Sequence, residues 1–193
     1  MNFSTSLNLR GFSLAVAASA VALLSGCAIQ APTYTPSLDN SALVKNAPKS
    51  VAVGAFTVTA STVGATSIGL RGSSLESPVG KDYAAYLAEA LRKELVLAGK
   101  LDEKSKIEIS GVLLKNDISA GGFATASGEI EARFIVKNDG QQRYDKVQRA
   151  YIGWESSFVG AIAIPKAQQQ YTAMVQKLLS ELFADAEFQK AIR

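Results

Sequence analysis

The sequence predicts an α+β fold: a mainly antiparallel β-sheet of about four strands with two long amphipathic helices packed on one face, in the order β-α-β-β-β-α. Three observations carry that reading. Apolar and polar residues alternate through 107–113 and 130–136, which is the period of half-buried strands. Asn138-Asp139-Gly140 stands after the second of these runs, where a tight hairpin needs residues that tolerate positive φ. Two segments, 83–98 and 171–183, repeat apolar residues at three- and four-residue steps, as does a helix that covers a surface.

The elements follow in chain order. Residues 51–59 form a β-branched run of strand length. Residues 61–80 are rich in glycine and read as a loop, and 67–77 within it, with Arg71 as its only positive charge, as a contact surface. Gly80-Lys81-Asp82 invites comparison with a phosphate-binding loop. The comparison fails, because two glycines framing four residues and then Lys-Ser/Thr are required, and an aspartate after the lysine repels phosphate. Ser77 before Pro78 offers an N-cap for the first helix, whose stripe is Tyr83, Leu87, Ala90, Leu91, Leu95 and Ala98, with Gly99 at its end. Strands over 107–113 and 125–137 flank a loop at 117–122, and a return strand over 144–158 puts Ile152, Trp154 and Phe158 on one face. Pro165 opens the second helix, with the stripe Tyr171, Met174, Val175, Leu178, Leu179, Leu182 and Phe183. A short helical tail started by Asp185 carries Phe188 and Ile192.

Residues 1–26 read as an export signal: Arg10 is their only charge, an apolar stretch spans 14–24, and the small residues Ser25 and Gly26 precede Cys27. Eleven residues at a rise of ~1.5 Å reach about 16 Å, too short for a hydrocarbon core of roughly 30 Å. Residues 27–50, polar and with Pro32, Pro36 and Pro48, read as a lipidated N-terminus and flexible tether of about 25 Å average reach. Residues 51–193 then form a single domain.

The chain has 20 basic and 17 acidic residues, and removing 1–26 takes away one basic residue, leaving a net of +2. No dense basic cluster speaks for nucleic-acid binding. There is no histidine, which excludes Ser-His-Asp and Cys-His catalysis and histidine metal sites within the chain. No cofactor or metal site is read. Glu129 and Glu131 share a strand face, as an acid/base pair could, yet alternation makes them equally the solvated side of a sheet. Residues 158–165 form an apolar connection ahead of the last helix, tucked under it or open to a partner, with burial the reading preferred. The candidate partner surface is therefore Arg71, Trp154, Phe158, Ile162 and Ile164.

Leu24-Ser25-Gly26-Cys27 resembles the lipobox of bacterial lipoproteins. That resemblance implies cleavage before Cys27, a diacylglyceryl group on its sulfur and an acyl group on its amine. In enterobacterial lipoproteins aspartate after the cysteine marks inner-membrane retention; Ala28 implies the periplasmic face of the outer membrane. Together with residues 51–59 and Ile164-Pro165-Lys166-Ala167 leading through Tyr171 to Leu178-Leu179, the chain resembles small outer-membrane lipoproteins of the YajG and PqiC type. These are generally non-enzymatic. The expectation is a lipid-anchored binding or accessory component in envelope maintenance, assembly or transport, with an envelope protein or lipid as partner. The alternatives are an activator of peptidoglycan synthesis and, more weakly, a carboxylate-dependent enzyme.

Overall fold

The computed structural model describes residues 28–122 and 124–193; the lipobox and Cys27 lie outside the described residues. The elements are β1 (Ala28–Gln30), α1 (Leu38–Lys45), β2 (Ala52–Val63), β3 (Ser67–Leu70), β4 (Ser73–Glu76), α2 (Tyr83–Leu97), β5 (Ile107–Ser119), β6 (Thr125–Asn138), β7 (Gln141–Glu155), α3 (Gly160–Ala184) and α4 (Ala186–Ala191). The fold is α+β, as the sequence predicts. The main sheet has the order β2-β5-β6-β7. β5, β6 and β7 form an antiparallel meander, and β2 lies parallel to β5, so the chain must cross over between them. β3, β4 and α2 make that crossover.

One face of the sheet is apolar. Ile107, Ile109 and Leu113 of β5 and Ile130, Ala132, Phe134 and Val136 of β6 are all at most 2% exposed. Both long helices cover this face, α2 over β2 and β5, and α3 over β6 and β7. The predicted α3 stripe from Tyr171 to Phe183 is buried throughout, as are the predicted α2 positions. Asp82 rather than Ser77 caps α2, its side chain accepting from the Ala85 N–H at 2.9 Å. At the other end Gly99 takes φ 67°, and Lys100 N and Gly99 N return to the carbonyls of Leu95 and Val96. Asp185 caps α4 as expected, and Phe188 and Ile192 seal the base of the core.

Four further readings are corrected. The glycine-rich stretch is not a loop: β2 continues to Val63, and β3 and β4 form a hairpin in which Ile68, Leu70 and Leu75 are buried to 1% or less. Its two-residue turn, Arg71-Gly72, needs positive φ at both positions (51° and 81°). Arginine there carries none of the Asn or Asp signal that marks the Asp139-Gly140 turn.

Residues 28–50 are not a flexible tether. β1 pairs with β4 in a second sheet of order β1-β4-β3, and Ala31, Tyr34, Val44 and Ala47 join the core. The helical period was invisible because α1 turns Asn40 and Ser41 inward while Leu38 stays 74% exposed. The Ser41 hydroxyl donates to the Leu38 carbonyl at 2.8 Å, and Asn40 is met by Glu94, which is fully buried on α2. Its Oε1 accepts from the Tyr34 hydroxyl at 2.5 Å, the Ser37 N–H at 3.0 Å and Asn40 Nδ2 at 3.2 Å. Asn40 Nδ2 also donates to the Gln176 carbonyl, at 2.8 Å, tying α1 to α3. Tyr34, Tyr86, Tyr83 and Tyr171 form a cluster of edge-on and tilted rings at centroid distances of 5.1 to 6.2 Å, joining the N-terminal segment to both long helices. Burial pushes the Tyr86 phenol up to about 12.

Finally, α3 begins at Gly160, so Pro165 sits inside the helix rather than opening it. Without an N–H, Pro165 leaves the Ala161 carbonyl short of its helical donor, one turn from the helix end. β7 ends at Glu155, and Phe158 lies beyond it, not on the face of Ile152 and Trp154.

Candidate functional site

The five predicted surface residues gather at one end of the molecule, in different roles. Arg71, on the β3–β4 turn, donates from Nη1 to the Phe158 carbonyl at 3.0 Å and from Nη2 to the Gly122 carbonyl at 2.8 Å. A guanidinium fork can hold two acceptors at once, and here it straps the small sheet to the β5–β6 loop and to the start of α3. Its Nε is buried with no hydrogen-bond partner among the described residues.

Trp154 is partly buried and packs against the core. It pairs with Ala126 on the helix-covered face, and its ring lies 3.5 Å from where a Cβ on Gly128 would stand, with Met174 Sδ at 2.8 Å from the same point. Gly128 therefore makes room for the indole and the thioether. Ile164 also packs against the core, beside the buried Ala163 and Ala167. The exposed members are Phe158 at 68% and Ile162 at 58%, and Val159, which the sequence reading passed over, joins them at 53%. Burial of this apolar segment, the preferred reading, is thus only half met. Winding it into a helix turns one side inward and leaves the other in solvent.

Next to this end, on the open face of the sheet, lies a concavity of about 570 Å³ lined by Ser119, Gly122, Thr125, Ser127, Tyr151 and Gly153. Small residues on three neighbouring strands create it, since Ser119 pairs with Ser127 and Ser127 with Gly153. A second depression of about 400 Å³ lies between Tyr34, Pro36, Lys93, Val96 and Leu97.

Glu129 and Glu131 also lie on the open face, each committed to a cation. Lys115 Nζ meets Glu129 at 2.6 Å, and Arg149 Nε meets Glu131 at 2.8 Å. Arg133 grips Asp145 with two contacts of 2.6 Å, which holds the Asp145 carboxyl below its usual range. The three pairs form a ladder across the solvated sheet, where solvent screening leaves such pairs little weight in stability. Among the described residues no cluster of three or more potential metal ligands occurs, and no helix is long and apolar enough to cross a membrane.

Sequence reasoning missed Glu94, although its signal was present. Position 94 falls seven residues after Leu87 and three after Leu91, on the buried stripe of α2, where a carboxylate demands buried donors.

No family model matches the chain, and no curated protein matches it. Among solved structures it is similar to a Xanthomonas campestris protein of the DUF330 family, at 11% identity over 81% of this chain and 94% of that one, with a TM-score of 0.50. That likeness is one of fold. A Caulobacter crescentus protein described as a candidate lipoprotein gives 15% identity over 79% and 97% of the two chains, with a TM-score of 0.43. A Chlamydia trachomatis protein gives 12% identity over 70% and 96%, with a TM-score of 0.41.

Proposed function

We propose that this chain is a lipid-anchored lipoprotein of the bacterial envelope, acting as a non-enzymatic binding or accessory component in envelope maintenance, assembly or transport. The observation that carries the reading is Leu24-Ser25-Gly26-Cys27 at the end of a short apolar run. Acylation of Cys27 by several chains makes the tether effectively permanent, where one chain alone is marginal. By resemblance the domain is of the YajG and PqiC type, and the alanine at position 28 assigns it to the periplasmic face of the outer membrane. Its partner is an envelope protein or lipid.

The alternative, an activator of peptidoglycan synthesis, has to span a distance. With residues 28–50 packed into the domain, the 25 Å of slack on which that alternative could draw is gone. A carboxylate enzyme at Glu129 or Glu131 starts from side chains already engaged by Lys115 and Arg149.

The test is the intact mass of the chain recovered from membranes, with Cys27→Ser as the comparison. The expected product begins at residue 27 and carries acyl groups, and the variant loses them. An unmodified thiol at position 27, or an intact residue 1–26 segment, overturns the anchor. Membrane fractionation of the acylated form decides between outer and inner membrane.

A further inference from the structure

β1 fixes the end of the molecule at which the anchor would attach. It runs parallel to β4, pairing Ala28 with Ser74 and Gln30 with Glu76. Ser73 directly follows the Arg71-Gly72 turn, so Ala28 is the residue of β1 nearest that turn. Gln30 lies further down the body, its carbonyl accepting from Gln168 Nε2 of α3 at 2.9 Å. The turn is in turn strapped to the start of α3 through the Arg71–Phe158 bond. Ala28, from which position 27 is one peptide unit or ~3.8 Å away, therefore stands at the end of the domain where Phe158, Val159 and Ile162 are 68%, 53% and 58% exposed.

We propose that this end is a bilayer-facing surface, with Val159 and Ile162, flanked by Phe158, entering the interfacial region of the leaflet that holds the anchor. The inference rests on acylation at Cys27. A lipid at that position, with β1 already paired one residue later, leaves no slack in which the domain could stand off from the membrane. Whatever side chains surround the exit point then meet the lipid surface. Apolar residues on the first turn of a helix are suited to that contact, burying one side of the turn in the headgroup and acyl boundary. Both Arg71 bonds at this end go to backbone carbonyls, those of Phe158 and Gly122, and the exposed side chains proposed to enter the lipid are uncharged. The contact is therefore apolar, and added salt does not release it.

The experiment uses the full mature chain in vesicles of phosphatidylethanolamine and phosphatidylglycerol. A nitroxide is placed at Val159→Cys or Ile162→Cys, with Val96→Cys and Lys104→Cys as exposed controls elsewhere. Val159 and Ile162 are more than half exposed, and two positions guard against one misfolded variant. Collision rates with oxygen, which concentrates in lipid, and with a water-soluble nickel chelate give the location of each label; intact mass reports acylation separately. The expected result is an oxygen-to-nickel ratio severalfold higher at 159 and 162 than at the controls, unchanged by salt. An acylated chain whose labels at 159 and 162 behave like the controls overturns the bilayer-facing surface, leaves the anchor standing and points to a protein occupant. Lipid-exposed labels on an unacylated chain keep the surface and overturn the anchor. Control-like labels on an unacylated chain overturn both.

Discussion

Glu94→Ala should release the N-terminal segment while leaving the main sheet folded. Glu94 Oε1 is the acceptor for the Tyr34 hydroxyl and the Ser37 N–H, whereas Asn40 Nδ2 keeps the Gln176 carbonyl. Alanine thus orphans two donors, at about 1–3 kcal/mol each, and leaves a cavity beside Tyr34 that adds about 1 kcal/mol. A total of about 4 kcal/mol corresponds to roughly a thousandfold rise in local opening. Native-state hydrogen exchange reads it directly. Amides of 37–47 should lose about three orders of magnitude of protection, since each factor of ten is about 1.4 kcal/mol. Amides of β5 and β6, held by Ile109, Ala132 and Phe134 at 0% exposure, should change little. Glu94→Gln keeps an acceptor in the same place and should lose less. Unchanged protection over 37–47 in Glu94→Ala, or an equal loss throughout the protein, refutes the reasoning.

Three further outcomes are expected. Gly128→Ala brings a methyl to within 2.8 Å of Met174 Sδ and should cost about 1–2 kcal/mol by overpacking, lowering the melting temperature by several degrees; a smaller cost in a Met174→Ala background identifies the clash, and additive losses speak against it. Asp185 is pulled below the usual carboxylate range, because the desolvation that would raise it is outweighed by the Glu187 and Phe188 N–H groups, the Lys146 ammonium and the Tyr144 hydroxyl. A depressed carboxyl contributes stability above its unfolded value of ~3.9 and loses it as pH falls through the lower folded value, so Asp185→Asn should flatten the acid limb of a denaturation series below about pH 4; an equally steep limb would show that other carboxylates set it. Arg71→Lys replaces a fork by a single ammonium that cannot hold both the Phe158 and Gly122 carbonyls, so exchange at 159–162 should rise while that at 171–183 stays fixed, and equal exchange at both argues against the strap.

The sequence was most legible where one physical signal dominated. The α3 stripe and the β5 and β6 alternation read correctly because apolar side chains alone decide which way those elements face. The failures share a cause: burial by small or polar residues. β3 is hidden because Ser67 and Gly69 interleave Ile68 and Leu70 in a stretch whose composition resembles a loop. α1 is hidden because its inward residues are the polar Asn40 and Ser41, and the partners of Asn40, Glu94 and the Gln176 carbonyl, lie 54 and 136 residues away. No local window contains that information. At the candidate site, the apolar segment 158–165 was visible, yet the division between buried Ala163 and exposed Ile162 depends on the phase of the helix, and that phase was lost by starting it at Pro165 instead of Gly160.

The parallel pairing of β1 with β4 also has a mechanical consequence. A pull on the chain at Ala28, directed out of the domain, runs along the axis of β1, so the ladder to β4 and the Ala31 N–H to Glu76 carbonyl bond of 2.8 Å are loaded together in shear rather than peeled apart one by one. Behind that ladder the load passes to Tyr34 and Ser37, and through Glu94 to the long helix α2. Tension entering at Ala28 is thus carried into the core by a short strand and one carboxylate.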